Sequence, residues 1–180
     1  MVNKTNSEIR LQLFLAKNGL ASRRKCEILI SNGDVRVNGK VVTEMGFKGK
    51  PSDIVSYKGT VLNIVTKKIY LALNNPPLYL CSNSDPQNRK LAIDLLKNNF
   101  SERLYNVGRL DYLSTGLIFF TNDGDFTKIV SHPSSGIEKE YIVESKQIIE
   151  EKFLIEFMTG VVIEGEKYKL HSYKYKTKYK

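Results

Sequence analysis

Residues 106–126, NVGRLDYLSTGLIFFTNDGDF, place the carboxylate of Asp111 shortly before an apolar run at residues 117–120. The apolar run predicts a buried strand, and the polar, glycine-bearing stretch ahead of it places Asp111 at the mouth of that strand. Arg109 stands two residues before Asp111. An isolated Arg-Leu-Asp triplet is most often a turn in which the two charges pair, so the triplet by itself predicts no chemistry.

The segments around this stretch predict a mixed module of strands and helices. A buried strand is predicted at residues 69–73, and Pro76 and Pro77 end it because proline lacks an N–H donor and restrains the residue before it. No regular βαβ repeat is present, so we expect an α+β module with a mostly antiparallel sheet. The other predicted elements are strands at residues 78–82 and 139–145, helices at residues 89–99 and 150–161, and a short helix at residues 125–132 capped by Asp125.

Residues 8–57 predict a compact first module of two helices and a hairpin. Asn18-Gly19 marks the end of the first helix, and Ser22 is a good N-cap for the second. Asn38-Gly39 is the residue pair that a tight hairpin turn prefers, and valines flank it. These signals predict a small domain that folds around its own core.

The whole chain is basic, which suggests a polyanionic partner. It has 180 residues, a formal net charge of +9 and a pI of about 9.4. Arg23, Arg24 and Lys25 crowd the first turn of the predicted second helix, where cations oppose the helix dipole. A bound phosphate would remove that penalty, whereas a solvated charged face is the alternative.

Several other classes of protein are disfavoured by the sequence. No apolar run approaches the ~20 residues that span a bilayer, and the N-terminus lacks the apolar core of a signal peptide. Cys26 and Cys81 predict no disulfide framework and suit a reducing cytoplasm. With His132 and His171 they show no zinc-ligand spacing, and residues 121–125 fall short of a calcium loop. We expect a cytoplasmic monomer, with no membrane partner, metal or cofactor.

Four segments in collinear order resemble the RsuA/RluB-type pseudouridine synthases, enzymes that modify ribosomal RNA. VGRLDYLSTGLIFFTNDGDF, residues 107–126, is similar to the catalytic segment of that family. YLALNNPPLYLCS, residues 70–82, looks like the family's strand, double-proline turn and strand, and HPSSGIEKEYIV, residues 132–143, is similar to its His-Pro and Lys-x-Tyr segment. RLQLFLAKNGLASRR followed by GDVRVNGKVV, residues 10–24 and 33–42, resembles the S4 RNA-binding domain.

The resemblance implies that uridine is converted to pseudouridine: the N1–C1′ bond breaks, the base turns, and C5 joins C1′. Asp111 would be the catalytic carboxylate, as a nucleophile or a base, in a site that excludes bulk water, and Arg109 would keep it ionised. Tyr141 would stack on the base or move a proton, or simply face the core. Lys139 would contact phosphate, or be solvated. The residues implied to line the RNA face of the S4-like domain are Arg10, Lys17, Ser22, Arg23, Arg24 and Lys25.

The predicted organisation is an S4-like domain at residues 8–57, a linker at residues 58–68 and a catalytic domain at residues 69–180. From residue 160 onward the sequence begins in register with the family's late segment and then departs, so we expect a catalytic domain that is shortened or divergent at its C-terminal end. Asn75, where the family usually has Lys, is a smaller departure. The alternative is an RNA-binding or ribosome-assembly protein that has no catalysis and is held to ribosomal RNA by the S4-like domain and a basic tail.

Overall fold

The computed structural model describes residues 8–62 and 67–174, and the chain divides into two compact units, Met1–Ile137 and Glu138–Lys180. Residues 63–66 of the predicted linker and residues 175–180 of the predicted basic tail lie outside the described residues. The architecture is α+β with antiparallel sheets, which confirms the predicted fold class. Within the two described ranges, no helix is long and apolar enough to cross a membrane.

The first unit begins with a helix pair packed on a small sheet. Leu15, Cys26 and Val35 are fully buried in a core that the helices and the strands share. One short strand pair is β1 with β4, and the remaining strands pair in the order β3-β2-β5-β6. The elements are β1 (Ile9–Arg10), α1 (Leu11–Lys17), α2 (Arg23–Ser31), β2 (Val35–Val37), β3 (Lys40–Val41), β4 (Lys48–Gly49), β5 (Val55–Tyr57) and β6 (Thr60–Val61).

The local signals in this part of the chain are confirmed. Ser22 Oγ accepts a hydrogen bond from Lys25 N at 3.3 Å and so caps α2. Asn38 and Gly39 have φ values of 51° and 80°, which is the left-handed backbone that a two-residue hairpin turn requires. α1 ends at Lys17, with Asn18 as its C-cap.

The second part of the first unit is a three-stranded antiparallel sheet in the order β7-β9-β8. The register runs from Tyr70 opposite Thr121 to Asn75 opposite Gly116. Ile118 and Phe120 of β9 are buried, so the predicted apolar run does form the central strand. The elements are β7 (Tyr70–Asn75), a 3₁₀ turn (Ala92–Leu95), β8 (Tyr105–Val107), β9 (Gly116–Thr121), α3 (Gly124–Ser131) and a 3₁₀ turn (Pro133–Ser135).

Two predicted elements after the double proline are wrong. Residues 78–82 form no strand beyond a single parallel bridge between Leu80 and Leu91. Leu80 N donates to Lys90 O and Ala92 N donates to Leu80 O, both at 2.9 Å, and this exchange holds residues 90–91 extended. The helix predicted at residues 89–99 is therefore reduced to one 3₁₀ turn.

The strand β7 and the start of helix α3 each differ in one detail from the prediction. The strand predicted at residues 69–73 is not buried on both faces: it runs through Tyr70–Asn75 and alternates between exposed and covered positions. The N-cap of α3 is Asp123, not Asp125, because Asp123 Oδ1 accepts the backbone N–H of Asp125 at 3.0 Å. Asp125 lies in the first turn, where a carboxylate also suits the helix dipole.

The second unit contains α4 (Glu151–Thr159) and a hairpin of β10 (Val161–Ile163) and β11 (Glu166–Tyr168). The helix predicted at residues 150–161 is confirmed. The strand predicted at residues 139–145 is wrong, because within described residues 138–174 only β10 and β11 pair, and a strand needs a neighbour for its backbone groups.

Candidate active site

Asp111 lies in the loop between β8 and β9, and neighbouring segments hold the backbone of that loop. Leu78, which directly follows the double proline, donates its N–H to Tyr112 O at 2.7 Å. Leu110 N donates to Cys81 Sγ at 3.4 Å. Residues on both sides of Asp111 are thus tied to other parts of the fold, while the Asp111 side chain itself is exposed.

The exposed face of Asp111 opens into a cleft of about 360 Å³. This volume lies near the lower end of the range for small-molecule sites, which is about 300–1,000 Å³. The cleft is open to solvent, whereas the chemistry was expected to need a site without bulk water. Its lining residues are Leu80, Cys81, Ser82, Ser84, Asp85, Arg89, Arg109, Leu110, Asp111 and Tyr112.

Arg109 lines the same cleft, but the predicted ion pair with Asp111 is not formed. Among described residues 8–62 and 67–174, neither side chain makes a salt bridge. Both are exposed, and an exposed pair gains little from one fixed geometry. Arg109 therefore stands beside the carboxylate as an unpaired cation.

A second arginine in the cleft, Arg89, is tightly paired. Its Nη2 lies 2.7 Å from Asp85 Oδ1 and its Nε lies 3.0 Å from Asp85 Oδ2. The hydrogen bonds from Arg89 lower the pKa of Asp85 to about 2, so this carboxylate is ionised at neutral pH. This pair was not predicted from the sequence, although a carboxylate and an arginine four residues apart in DPQNR are a signal for it.

Two family profiles match the chain, and between them they cover nearly all of it. The S4 domain profile matches residues 9–55, and the RNA pseudouridylate synthase profile matches residues 69–180. The chain belongs to the RNA pseudouridylate synthase family. The resemblance found in the sequence is thereby confirmed.

Individual relatives of this synthase family support the same assignment. An uncharacterized RNA pseudouridine synthase of Borreliella burgdorferi is 45% identical over 91% of this chain and 67% of its own length. The ribosomal large subunit pseudouridine synthase B of Bacillus subtilis is 39% identical over 88% of this chain and 64% of its own length. A crystal structure of a pseudouridylate synthase superposes with a TM-score of 0.56 at 26% identity, covering 88% of this chain and 67% of the other. The chain thus spans about two thirds of the length of these relatives.

Two further candidate residues, Lys139 and Tyr141, belong to the second unit. Both are exposed and lie outside regular secondary structure, and Tyr141 is 69% exposed. A stacking partner for a base needs such an accessible ring. Their assignment to the site stays a prediction from the family resemblance.

The six residues predicted for the RNA face lie in the S4 domain: Arg10 in β1, Lys17 at the end of α1, and Ser22, Arg23, Arg24 and Lys25 at the start of α2. All six are exposed, and Arg10, Arg23, Arg24 and Lys25 form no salt bridge within residues 8–62 and 67–174. Lys17 differs, because its Nζ lies 3.1 Å from Asp125 Oδ2. To bind a phosphate of RNA, Lys17 would have to release Asp125. The remaining member of the set is Ser22, whose hydroxyl is engaged as the helix cap.

A buried carboxylate, Asp123, joins the end of the central strand β9 to the start of its neighbour β7. Its Oδ2 accepts hydrogen bonds from Lys68 Nζ at 2.7 Å and from Tyr70 OH at 2.8 Å. Burial raises the pKa of Asp123, but the hydrogen bonds from Lys68, Tyr70 and the backbone of Asp125 outweigh it and hold the pKa at about 2. Asp123 does not line the Asp111 cleft, and its hydrogen bonds give it a structural role.

Proposed function

We propose that this chain isomerises a specific uridine of ribosomal RNA to pseudouridine, with Asp111 as the catalytic carboxylate. The observation that carries the proposal is the exposed Asp111 side chain on a backbone fixed from the double-proline turn and from Cys81. Because the backbone of this loop is already fixed, little conformational freedom is lost when the carboxylate meets its substrate. This favours reaction with a nucleotide that is turned out of its helix.

The reaction needs a carboxylate held beside the sugar, where it can act as a nucleophile or a base. Breaking the N1–C1′ bond leaves an electron-poor sugar carbon, and a carboxylate beside it acts either by adding to it or by removing a proton. The base keeps the electron pair of the broken bond and turns. C5 then bonds to C1′, and the carboxylate leaves C1′ if it has added there, or the sugar regains its proton if the carboxylate has removed one. The proton on C5 is lost to water, and N1 takes up a proton. Arg109, unpaired in the cleft, would position or tune Asp111, and bound RNA would cover the open side and exclude water. Tyr141 would stack on the base, and Lys139 would contact phosphate.

The S4 domain would supply most of the affinity for ribosomal RNA. Arg23 and Arg24 occupy the first turn of α2, where a bound phosphate would offset the repulsion between their charges and the helix dipole. The substrate assignment draws on the Bacillus subtilis relative, whose name places its action on the large ribosomal subunit. We place the protein in the cytoplasm as a monomer, where the buried free thiols of Cys26 and Cys81 would stay reduced.

A second candidate function is RNA binding without catalysis. The open, solvent-exposed setting of Asp111 favours it, because the described residues do not exclude water from the carboxylate. The S4 domain would then hold the chain on ribosomal RNA, and Asp111 would remain only as part of the family's fold.

Release of tritium separates the two functions. Ribosomal RNA transcribed with uridine labelled at C5 loses the label to water only when C5 becomes bonded to carbon. Release that depends on the protein, with pseudouridine located by sequencing, would support the isomerase. Tight binding of the same RNA with no release would support the RNA-binding protein.

A further inference from the structure

One wall of the Asp111 cleft is a short loop, residues 81–91, with a rigid framework of its own. The backbone exchange of Leu80 with Lys90 and Ala92, both bonds at 2.9 Å, closes the base of this loop. Inside it, Ser82 Oγ donates to the carbonyl of Ser84 at 2.7 Å. These bonds hold the loop together, and the hydrogen bond from Leu110 N to Cys81 Sγ joins it to the Asp111 loop.

Asp85 is the centre of this framework. Its side chain is only 6% exposed, and it accepts three hydrogen bonds from Arg89: one from the backbone N–H at 2.9 Å, one from Nε at 3.0 Å and one from Nη2 at 2.7 Å. Because the Asp85 carboxylate accepts hydrogen bonds from both the backbone and the guanidinium of Arg89, it holds the Arg89 side chain in one orientation. The Arg89 side chain nevertheless stays 42% exposed.

The guanidinium of Arg89 retains donors for a ligand. Nε and Nη2 contact Asp85, whereas Nη1 makes no hydrogen bond with the residues that the structure describes. The Arg89 guanidinium carbon lies 6.0 Å from the centre of the Tyr112 ring, and Tyr112 directly follows Asp111 in the chain. Arg89 is thus held at the side of the cleft that adjoins Asp111.

We propose that Arg89 binds a phosphate of the RNA backbone close to the uridine that reaches Asp111, and that Asp85 is the positioning residue that aims it. This inference rests on the proposed function, since a nucleotide whose sugar meets Asp111 brings its neighbouring phosphates to the rim of the same cleft. A preorganised arginine is suited to phosphate because its planar fork loses little freedom on binding.

The charges in the cleft favour a direct contact over general attraction. Arg89 and Arg109 are balanced by Asp85 and Asp111, so the lining carries no net charge. A phosphate would therefore be selected by hydrogen bonds from the guanidinium, and its position would matter. If the Asp85–Arg89 pair only holds the loop together, the dependence of binding on each phosphate should be the same in the unmutated chain and in Arg89→Ala.

The test replaces each phosphate in turn, by uncharged methylphosphonate, along the shortest ribosomal RNA fragment that the protein binds. Dissociation constants are measured for the unmutated chain, Arg89→Ala, Arg89→Lys and Asp85→Asn. Lys97→Ala is the matched control, since Lys97 forms a short-range ion pair with Asp94 but does not line the cleft. Thermal melts of each variant report on the fold.

We expect Arg89→Ala to weaken binding of the unmodified fragment about tenfold, or about 1.4 kcal/mol, with Arg89→Lys and Asp85→Asn intermediate and Lys97→Ala unchanged. One methylphosphonate should weaken binding by the unmutated chain and have no further effect on Arg89→Ala. If the unmutated chain is active, the KM of Arg89→Ala should rise in proportion to its Kd, while its kcat stays within about twofold of that of the unmutated chain.

Equal sensitivity of the unmutated chain and Arg89→Ala at every phosphate would overturn the inference. If Arg89→Ala does not fold, the inference is tested with Arg89→Lys and with the single-phosphate scan of the unmutated chain. A scan in which no phosphate affects binding by the unmutated chain would also overturn the inference. Absence of tritium release by the unmutated chain would defeat the proposed function instead, while the binding scan would still report on Arg89.

Discussion

Replacing Asp123 by Asn is expected to destabilise the first unit by removing one buried charge. The side chain of Asp123 is 8% exposed, and its pKa is lowered from 3.8 to about 2 because hydrogen bonds from Lys68, Tyr70 and the backbone outweigh its burial. That shift corresponds to about 2 kcal/mol. Since Lys68 is 52% exposed, solvent screening reduces the expected loss to about 1–2 kcal/mol at pH 7.

The sign of the pH dependence follows from the depressed pKa. The carboxylate stabilises the folded state fully above about pH 5, and this contribution is lost as the pH falls through 3.8 towards 2. The difference in the free energy of unfolding between the unmutated chain and Asp123→Asn should therefore be largest near pH 7 and shrink by pH 3. Other carboxylates titrate in both proteins and largely cancel in the difference.

Urea unfolding followed by circular dichroism at pH 7, 5, 4 and 3 measures this difference. The matched control is Asp125→Asn, because Asp125 is 69% exposed and its pair with Lys17 lies at the surface. We expect the control to lose less than about 0.5 kcal/mol. The reasoning is refuted if Asp123→Asn costs no more than Asp125→Asn at pH 7, or if its cost is the same at pH 3.

Three further predictions concern RNA binding, domain organisation and the stacking ring. Replacing Arg23 and Arg24 by Ala should weaken RNA binding in a filter assay and lower the slope of log K against log salt by about 0.7 to 0.9 for each lost phosphate contact; an unchanged slope would remove both arginines from the RNA face. Limited proteolysis should cut near Lys67-Lys68 before it cuts inside residues 8–57 or 69–180, and early cleavage within residues 20–40 would count against a domain boundary at residues 58–68. Tyr141→Phe keeps the ring but loses the hydroxyl, so turnover close to that of the unmutated chain would assign stacking to Tyr141, and loss of turnover with unchanged RNA affinity would assign proton transfer.

The N-terminal domain could be read from the sequence because its decisive signals are local. The cap at Ser22 needs only the backbone of its own helix, and the turn at Asn38-Gly39 needs only the φ angles that these residues tolerate. The central strand β9 was also predicted, since a short apolar run that follows a polar turn is typical of a buried strand. Such features are determined within a few residues.

The strands predicted at residues 78–82 and 139–145 failed because a strand depends on a neighbour that the local sequence does not reveal. Leu80 finds its partners at Lys90 and Ala92, which makes a closed loop instead of a strand. The same loop explains why the Arg89–Asp85 pair was missed, whereas Asp111 was proposed because its segment resembles the catalytic segment of the family. The family resemblance pointed to a carboxylate, but only the folded loop showed which arginine is held in place beside the cleft.

The central claim is that the carboxylate of Asp111 performs the chemistry. Asp111→Asn keeps the size and polarity of the side chain but can act neither as a nucleophile nor as a base, and because Asp111 is exposed the fold should be unaffected. The direct measurement is tritium release from C5-labelled ribosomal RNA by both proteins, with RNA affinity measured in parallel. We predict release by the unmutated chain, release at background for Asp111→Asn, and dissociation constants within about twofold of each other. Turnover by Asp111→Asn at the rate of the unmutated chain would contradict the claim.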